Sequence, residues 1–491
     1  MMPAIYLEAI VLTLGVLLVL MEAFSNSEEK TPVAWLGIVG LTFVFILTFF
    51  TANDLSASPY SAFYHADFRA IFFKRFALLT TIVVLVLSIE YRGVVQKYVF
   101  GSRPQAGLGE FYALPVFTCA GLMWMASAVD FIMIFVSLEL VTISFYILVA
   151  YMRRNAGSLE AGVKYLILSA LSTGFFVYGI TWIYGVTGQT SLEKIGAILL
   201  GLKVSHGPLL FGFMLVLTGL GFKIACAPFQ IWVPDVYQGA PTPVTAFLSV
   251  GSKAAGFIVL MRVAEVFLPV PWINHKAVTI LVALAALSLL YGNLAAMPQH
   301  NLKRLMAYSS IAHAGYILIA VACIGSRYAN IAVSFYLAGY LLMTLLTFLV
   351  MAAVANQAGG DDIVHFNGLG KRSPYLAFAM LAAMASLAGI PLTVGFFGKF
   401  LIFYVAYEKG QFLLMGIGVL TVAAGFYYYF KVVRAMYWKE PADDTPVRTS
   451  PLTGATIAAL AFCIFFLGVY PAPVIRALEG PPSDNPRLLA R

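Results

Sequence analysis

Pro208-Leu-Leu-Phe-Gly-Phe-Met-Leu-Val-Leu-Thr-Gly219-Leu-Gly221-Phe-Lys223-Ile-Ala-Cys-Ala-Pro228-Phe-Gln-Ile-Trp-Val-Pro234-Asp-Val-Tyr-Gln-Gly239-Ala-Pro241-Thr-Pro243 is an apolar run that meets one lysine and then breaks on a series of prolines. A hydrocarbon core of about 30 Å takes ~20 apolar residues per helical crossing, and 208–227 supplies that length. Proline removes a backbone donor and clashes with the turn before it, so a regular helix cannot continue through Pro228 and Pro234. Open backbone groups at membrane depth are tolerated only inside protein or beside a wet cavity. The stretch therefore reads as a broken helix surrounded by other helices.

The rest of the chain agrees. Of its 491 residues, 61% are hydrophobic and 11% charged, against about 25% charged in a soluble domain. A surface that poor in charge is suited to lipid. No polar linker long enough to separate domains interrupts the sequence, so residues 1–491 read as a single membrane domain. The formal charge of +8 is carried in short interhelical loops, as topology-setting residues are, and not in a nucleic-acid footprint. Cys119, Cys226, Cys323 and Cys463 lack CxxC or metal-ligand spacing and read as small core hydrophobes. The first apolar run, Pro3 to Phe24, lacks a preceding basic flank and a clear cleavage site, so it reads as a retained span.

Measured along the chain, the same ruler predicts about fourteen crossings. They fall near 3–24, 33–52, 70–90, two within 110–152 split at Asp130, 159–186, 208–227, from Pro243 to Arg262, 276–297, 301–325, 328–356, 374–407, 411–438 and 451–475. Basic residues are richer in the odd-numbered loops (Arg92, Lys97, Arg153, Arg154, Lys303, Arg304, Lys371, Arg372), which places those loops in the cytoplasm and both termini outside. The run at 374–407 is ~50 Å long as a straight helix, too much for one crossing. It contains Gly389-Ile-Pro391-Leu-Thr-Val-Gly395-Phe-Phe-Gly398-Lys399 and reads as a second broken helix. A break in corresponding positions of two halves marks inverted-repeat transporters. The expected fold is thus an all-α membrane protein with two inverted five-helix repeats, 110–265 and 275–440. Residues 1–109 (three helices) and 450–491 are additions.

An ionisable side chain at the bilayer centre costs at least ~2.5–3.5 kcal/mol and marks function or pairing. Glu139 lies ~20 Å from the helix end near Met152 at about 1.5 Å per residue; its alternative is a carboxylate capped by a hydroxyl such as Thr142. Lys164, only ~10 Å into its helix, is placed to pair with Glu139 or to snorkel to the cytoplasmic face. Lys223 precedes the first break among glycines. Lys253 stands ~15 Å beyond Pro243, at the midplane. His313 lies ~18 Å deep in Tyr308-Ser-Ser-Ile-Ala-His313-Ala-Gly-Tyr316, whose hydroxyls at helical spacing can carry a water chain. Lys399 follows Gly398 in the second break and mirrors Lys223. Burial favours neutral lysine and a nearby carboxylate favours the charged form, so a lysine between them can load and release a proton; histidine titrates near neutrality. A row of such groups is a lateral proton relay. Lys74, Arg75, Lys303, Arg304, Lys371 and Arg372, near helix ends, are expected to be topology anchors. No GxGxxG after a strand, no P-loop and no cysteine cluster accompanies the row, so any energy source lies elsewhere.

These residues also carry a family resemblance. Gly221-Phe-Lys223 through Asp235-Val-Tyr237-Gln-Gly239-Ala-Pro241-Thr-Pro243-Val-Thr-Ala-Phe resembles the signature of antiporter-like subunit N of respiratory complex I. Asn301-Leu-Lys-Arg304 through His313-Ala-Gly-Tyr316, Ser386 to Phe400, Leu138-Glu139-Leu, and Ser158 to Tyr165 agree with it. The resemblance spans about 110 to 440. It implies fourteen helices and coupling of quinone reduction, done elsewhere in the complex, to proton export across a bacterial plasma membrane. Carried over, Glu139 and Lys164 form the coupling pair, Lys223 and Lys253 hold and relay the proton, and His313 and Lys399 lead toward the exit. Lysine at 399 favours subunit N over subunit M, and no long lateral helix like that of subunit L is expected. Gln230 departs from the histidine of many bacterial relatives. No cofactor is expected on this chain; NADH, FMN, iron–sulfur clusters and quinone belong to partner subunits. The expected partners are neighbouring antiporter-like and small membrane subunits and the lipid bilayer. Two readings compete, a multi-component cation/proton antiporter subunit and a non-pumping scaffold whose buried charges merely pair.

Overall fold

The computed structural model describes residues 2–25, 29–52, 60–99, 108–201, 205–441 and 444–479, and within them the chain is almost wholly helical. Three apolar helices come first, α1 (Ile5–Phe24), α2 (Thr31–Leu47) and α3 (Phe68–Glu90), with a short α4 (Arg92–Val99). Asp67 starts α3 by accepting from the Ala70 amide at 2.6 Å, which satisfies one of the free N–H groups of a helix start. The two-residue strands β1 (Met2–Pro3) and β2 (Thr51–Ala52) pair in parallel.

α5 (Leu108–Ser127) and α6 (Phe131–Val149) follow, divided at Asp130, which caps α6 through the Ile132 amide at 2.8 Å. α7 (Ala156–Thr187) starts on Asn155 and stops at Gly188, whose φ of 65° ends the helix in the left-handed conformation. α8 (Leu192–Gly201) and α9 (His206–Ile224) lead to the first break. There Ala225 takes a φ of 62° and 225–232 leaves helical form, until Pro234 in the first turn of α10 (Val233–Gly239). Pro228 lies inside the break, whereas Pro234 opens the next helix, where its missing N–H costs nothing. α11 (Thr242–Phe247) continues through a π-turn, Leu248–Ser252, into α12 (Lys253–Phe267). The π-turn carries no proline and was not foreseen.

The second half comprises α13 (Pro271–Ala296), α14 (Leu302–Ala322), α15 (Ala329–Ala358), the four-residue α16 (Leu369–Arg372), α17 (Pro374–Ala388), α18 (Val394–Glu408) and α19 (Phe412–Trp438). The expected long run is thus two half-helices, broken at 389–393, where Gly389 has a φ of 91° and Leu392 one of 71°. α20 (Pro451–Val469) and α21 (Ala472–Glu479) close the described chain. Among the described residues, twelve helices are long and apolar enough to cross a membrane, and α2 and α17 are shorter apolar helices.

Side chains sort by position. The apolar windows of α11–α12 and α14 are wholly enclosed by protein, while α1, α7 and α20 bury only one stripe. Their outer faces present large apolar groups such as Leu17, Ile167, Leu171 and Phe462, which water would reject and acyl chains accept. Of the expected relay, Lys253 and His313 stand on these enclosed helices.

Candidate functional site

Close helix contact sets the geometry around the first break. A methyl on Gly219 would sit 2.7 Å from Phe176, and one on Gly179 would sit 2.6 Å from the Gly212 carbonyl, so α7 and α9 touch backbone to backbone. This contact brings Lys223, in the last turn of α9, into hydroxyls of two neighbours. Its ammonium donates to Ser169 on α7 at 2.8 Å and to Thr142 on α6 at 3.2 Å. The last turn of a helix also favours a cation, because its free carbonyls carry partial negative charge.

Glu139, one turn before Thr142 on α6, accepts from Thr173 on α7 at 3.0 Å. Thr173 is one turn after Ser169, so Glu139 and Lys223 occupy successive levels of the same α6–α7 seam. Glu139 does not meet Lys164. Lys164 faces the odd-numbered loops, half exposed, with Glu160 and Asp235 each at 2.7 Å. Asp235 also holds Arg304 at 2.9 Å. The snorkelling alternative describes Lys164 here, and Asp235 is the partner the sequence did not identify.

Lys253 is buried at the head of α12, directly after the π-turn. It donates to the carbonyl and hydroxyl of Ser310 on α14 and lies 5.5 Å from the Tyr340 ring centre. The Ser310 hydroxyl also meets Tyr237 of α10 at 3.3 Å. One turn further along α14, His313 is enclosed by tyrosines, with Nδ1 2.7 Å from the Tyr336 hydroxyl and Nε2 3.0 Å from that of Tyr429. Tyr429 also bonds Ser309. Tyr336 comes from α15 and Tyr429 from α19, so sequence spacing on α14 gave no sign of either.

Lys399 lies in α18, after its break, whereas Lys223 lies before its own; the two do not mirror each other in the chain. Lys399 reaches back to the end of α17, donating to the carbonyls of Leu387 at 2.9 Å and Ala388 at 2.8 Å. Its ammonium lies 5.1 Å from the Tyr316 ring centre. Among the described residues, Lys223, Lys253 and Lys399 are bound by hydroxyls and carbonyls and form no ion pair with a carboxylate.

Two of the expected anchors behave otherwise. Lys74 is fully buried on the α3 face turned toward α1, 2.8 Å from an equally buried Glu8, and also meets Tyr64. Lys303 is buried against Asp361 at 2.9 Å and donates to the Ala240 carbonyl at 3.1 Å. Distance from a helix end says nothing about which face a residue occupies, so neither residue is the surface anchor that its position suggests. Arg75 bonds Thr48, and Lys371 pairs with Glu440 on the exposed surface. Gln230 is buried, and its side-chain oxygen has no partner among the described residues.

A cavity of about 830 Å³ opens on the odd-loop face, with Lys97, Glu160, Asp235, Lys303, Arg304 and Asp361 in its lining. On the opposite face, Arg69 grips Glu265 with two bonds at 2.6 and 3.0 Å, and Arg262 meets Asp67 at 3.2 Å. Burial alone drives the Asp67 carboxyl upward, but the Arg262 and Arg69 guanidiniums outweigh it and hold it below its ordinary value. No group of three or more His, Cys, Asp or Glu side chains able to hold a metal occurs among the described residues.

Residues 128–425 match the family model described as NADH:quinone oxidoreductase/Mrp antiporter, TM. The NADH-quinone oxidoreductase subunit N of Trichlorobacter lovleyi is 40% identical over 476 residues, covering 96% of this chain and 94% of that protein. A chain of respiratory complex I from Thermus thermophilus, solved with bound aureothin, superposes with a TM-score of 0.79 at 33% identity, covering 96% of this chain and 98% of that one. A chain of the Mrp complex from Dietzia sp. superposes at 0.83 with 18% identity over 96% of each, a likeness of fold alone.

Proposed function

Because this chain belongs to the NADH-quinone oxidoreductase subunit N family, we propose that it relays protons across the membrane through Glu139, Lys164, Lys223, Lys253, His313 and Lys399, driven by quinone reduction in partner subunits. It is a membrane-embedded, multi-pass, membrane-arm subunit of a proton-translocating NADH:quinone oxidoreductase, working among that complex's other membrane subunits. NADH, FMN, iron–sulfur clusters and quinone are assigned to those partners.

One observation carries the reading. Among the described residues, the buried lysines at 223, 253 and 399 form no ion pair with a carboxylate, while Lys74 and Lys303, elsewhere in the same interior, do. A lysine fixed in an ion pair holds its proton; one held by hydroxyls and carbonyls in a dry interior keeps both protonation states within reach of a moving charge. This disfavours a scaffold whose charges merely pair. The antiporter alternative is disfavoured by the close likeness to subunit N, against a resemblance of fold alone to the Mrp chain.

Fourteen crossings follow if α2 and the α17–α18 pair are counted with the twelve long helices. Helices in 110–265 and 275–440 are read as inverted halves, each with a break, and 1–109 and 450–491 as additions. The charge bias of the loops supports a bacterial plasma membrane orientation with the odd loops, and their cavity, in the cytoplasm and both termini outside. The test is Lys223→Ala in the assembled complex, reconstituted in liposomes. Loss of protons moved per electron with assembly retained supports the relay. Full pumping in this variant returns the scaffold reading.

A further inference from the structure

His313 binds a hydroxyl at each ring nitrogen, and that arrangement has a direction. A neutral imidazole carries one N–H and one bare nitrogen, so one tyrosine donates to the ring while the other accepts from it. The two sides also lead to different places. Tyr429, on Nε2, is bonded to Ser309, whose neighbour Ser310 holds Lys253. Tyr336, on Nδ1, packs against α18 so tightly that a methyl on Gly398, the residue before Lys399, would lie 3.0 Å from its ring. One nitrogen therefore faces the Lys253 side and the other the Lys399 side.

We propose that Tyr429 and Tyr336 pass the proton into and out of His313 by exchanging the tautomer of its ring, an inference that rests on the relay reading above. Tyr429 gives its hydroxyl proton to Nε2, and the Nδ1 proton passes to the Tyr336 oxygen. The proton Tyr336 already carried leaves through a bridging water to the neutral Lys399 amine; Tyr429 is refilled by the Ser309 hydroxyl bonded to it, and Ser309 takes its replacement from the Lys253 ammonium through Ser310 and water. One proton enters and one leaves, with no net charge left on the ring. The ring ends in the opposite tautomer with every hydroxyl turned, so a second proton cannot follow until the chain has turned back. The pair of tyrosines makes His313 a one-shot valve.

The experiment uses the purified complex in liposomes and reads protons moved per electron and the slowing caused by heavy water. Tyr336→Phe and Tyr429→Phe keep the ring and remove only the hydroxyl. Tyr112→Phe is the control, because that residue is equally enclosed but stands on α5, which carries none of the row. The expected result is loss of protons per electron in the first two, a heavy-water effect reduced in Tyr336→Phe, and neither change in Tyr112→Phe. Full pumping in the first two variants, or an equal loss in the control, overturns the proposal. If a phenylalanine variant does not assemble, 3-fluorotyrosine at the same position keeps the shape and acidifies the hydroxyl, and an unchanged pumping rate overturns the proposal equally. His313→Ala separates the two levels. Full pumping in that variant sinks the relay itself, whereas a dead His313→Ala beside normal tyrosine variants sinks only this inference.

Discussion

Glu8 and Lys74 meet at 2.8 Å across α1 and α3, and neither side chain has any exposed surface. Removing one partner strands the other in a dry interior, at a cost of about 3–5 kcal/mol, while replacing both by apolar groups of similar volume is often neutral or stabilising. Lys74→Met alone is therefore expected to lower the thermal midpoint of the detergent-solubilised complex or block its assembly. Glu8→Leu combined with Lys74→Met is expected to recover most of that loss. A double variant no better than the single one contradicts the pairing.

Gly389 stands at a φ of 91°, and a methyl there would lie 3.0 Å from Lys399 Cδ and 3.2 Å from its ammonium. Gly389→Ala thus incurs left-handed strain of about 1–2 kcal/mol and also displaces Lys399 from the carbonyls of α17. Gly188→Ala, at a φ of 65° but in open space, incurs the strain alone. The expectation is that both variants lose stability and only Gly389→Ala loses protons per electron. Equal pumping in the two variants would refute it.

Asp235 is the shared acceptor of Lys164 and Arg304 on the cavity face. Asp235→Asn keeps the shape and removes the charge that links α7 to α14 through α10. Slower pumping in an assembled complex is expected, with Asp235→Glu partly restoring the rate. Pumping rates in liposomes decide it.

Asp67 supplies a pH-dependent test of the opposite face. Because its folded carboxyl is held below the ordinary value, near about 3.9 for a free side chain, its charge stabilises the fold fully above that ordinary value. The contribution is lost as pH falls through the depressed one. Asp67→Asn should lower the thermal midpoint at neutral pH, and the gap to the parent protein should narrow on acidification. A gap that widens as pH falls contradicts the assignment.

The apolar helices and both breaks were legible because apolar length and proline are local signals. The burial of Lys223, Lys253, His313 and Lys399 was legible because depth along a helix can be counted. Partners could not be counted. Lys164 finds Asp235 on another helix and turns away from Glu139, a choice of helix face set by tertiary packing. Lys74 and Lys303 look like terminal anchors until α1 and the loop carrying Asp361 are folded against them. The tyrosines around His313 arrive from α15 and α19, with no spacing on α14 to announce them. The π-turn before Lys253 likewise has no proline or glycine pair to betray it.

The complete enclosure of α11–α12 and α14 bears on how the protein responds to its surroundings. Lys253 and His313 stand on pillars that no acyl chain touches, so their dielectric environment is a property of the polypeptide. Changing fatty-acid length or unsaturation will perturb α1, α7 and α20 first. A cell that remodels its lipids with temperature can thus keep the central pathway chemically constant while the outer helices absorb the change.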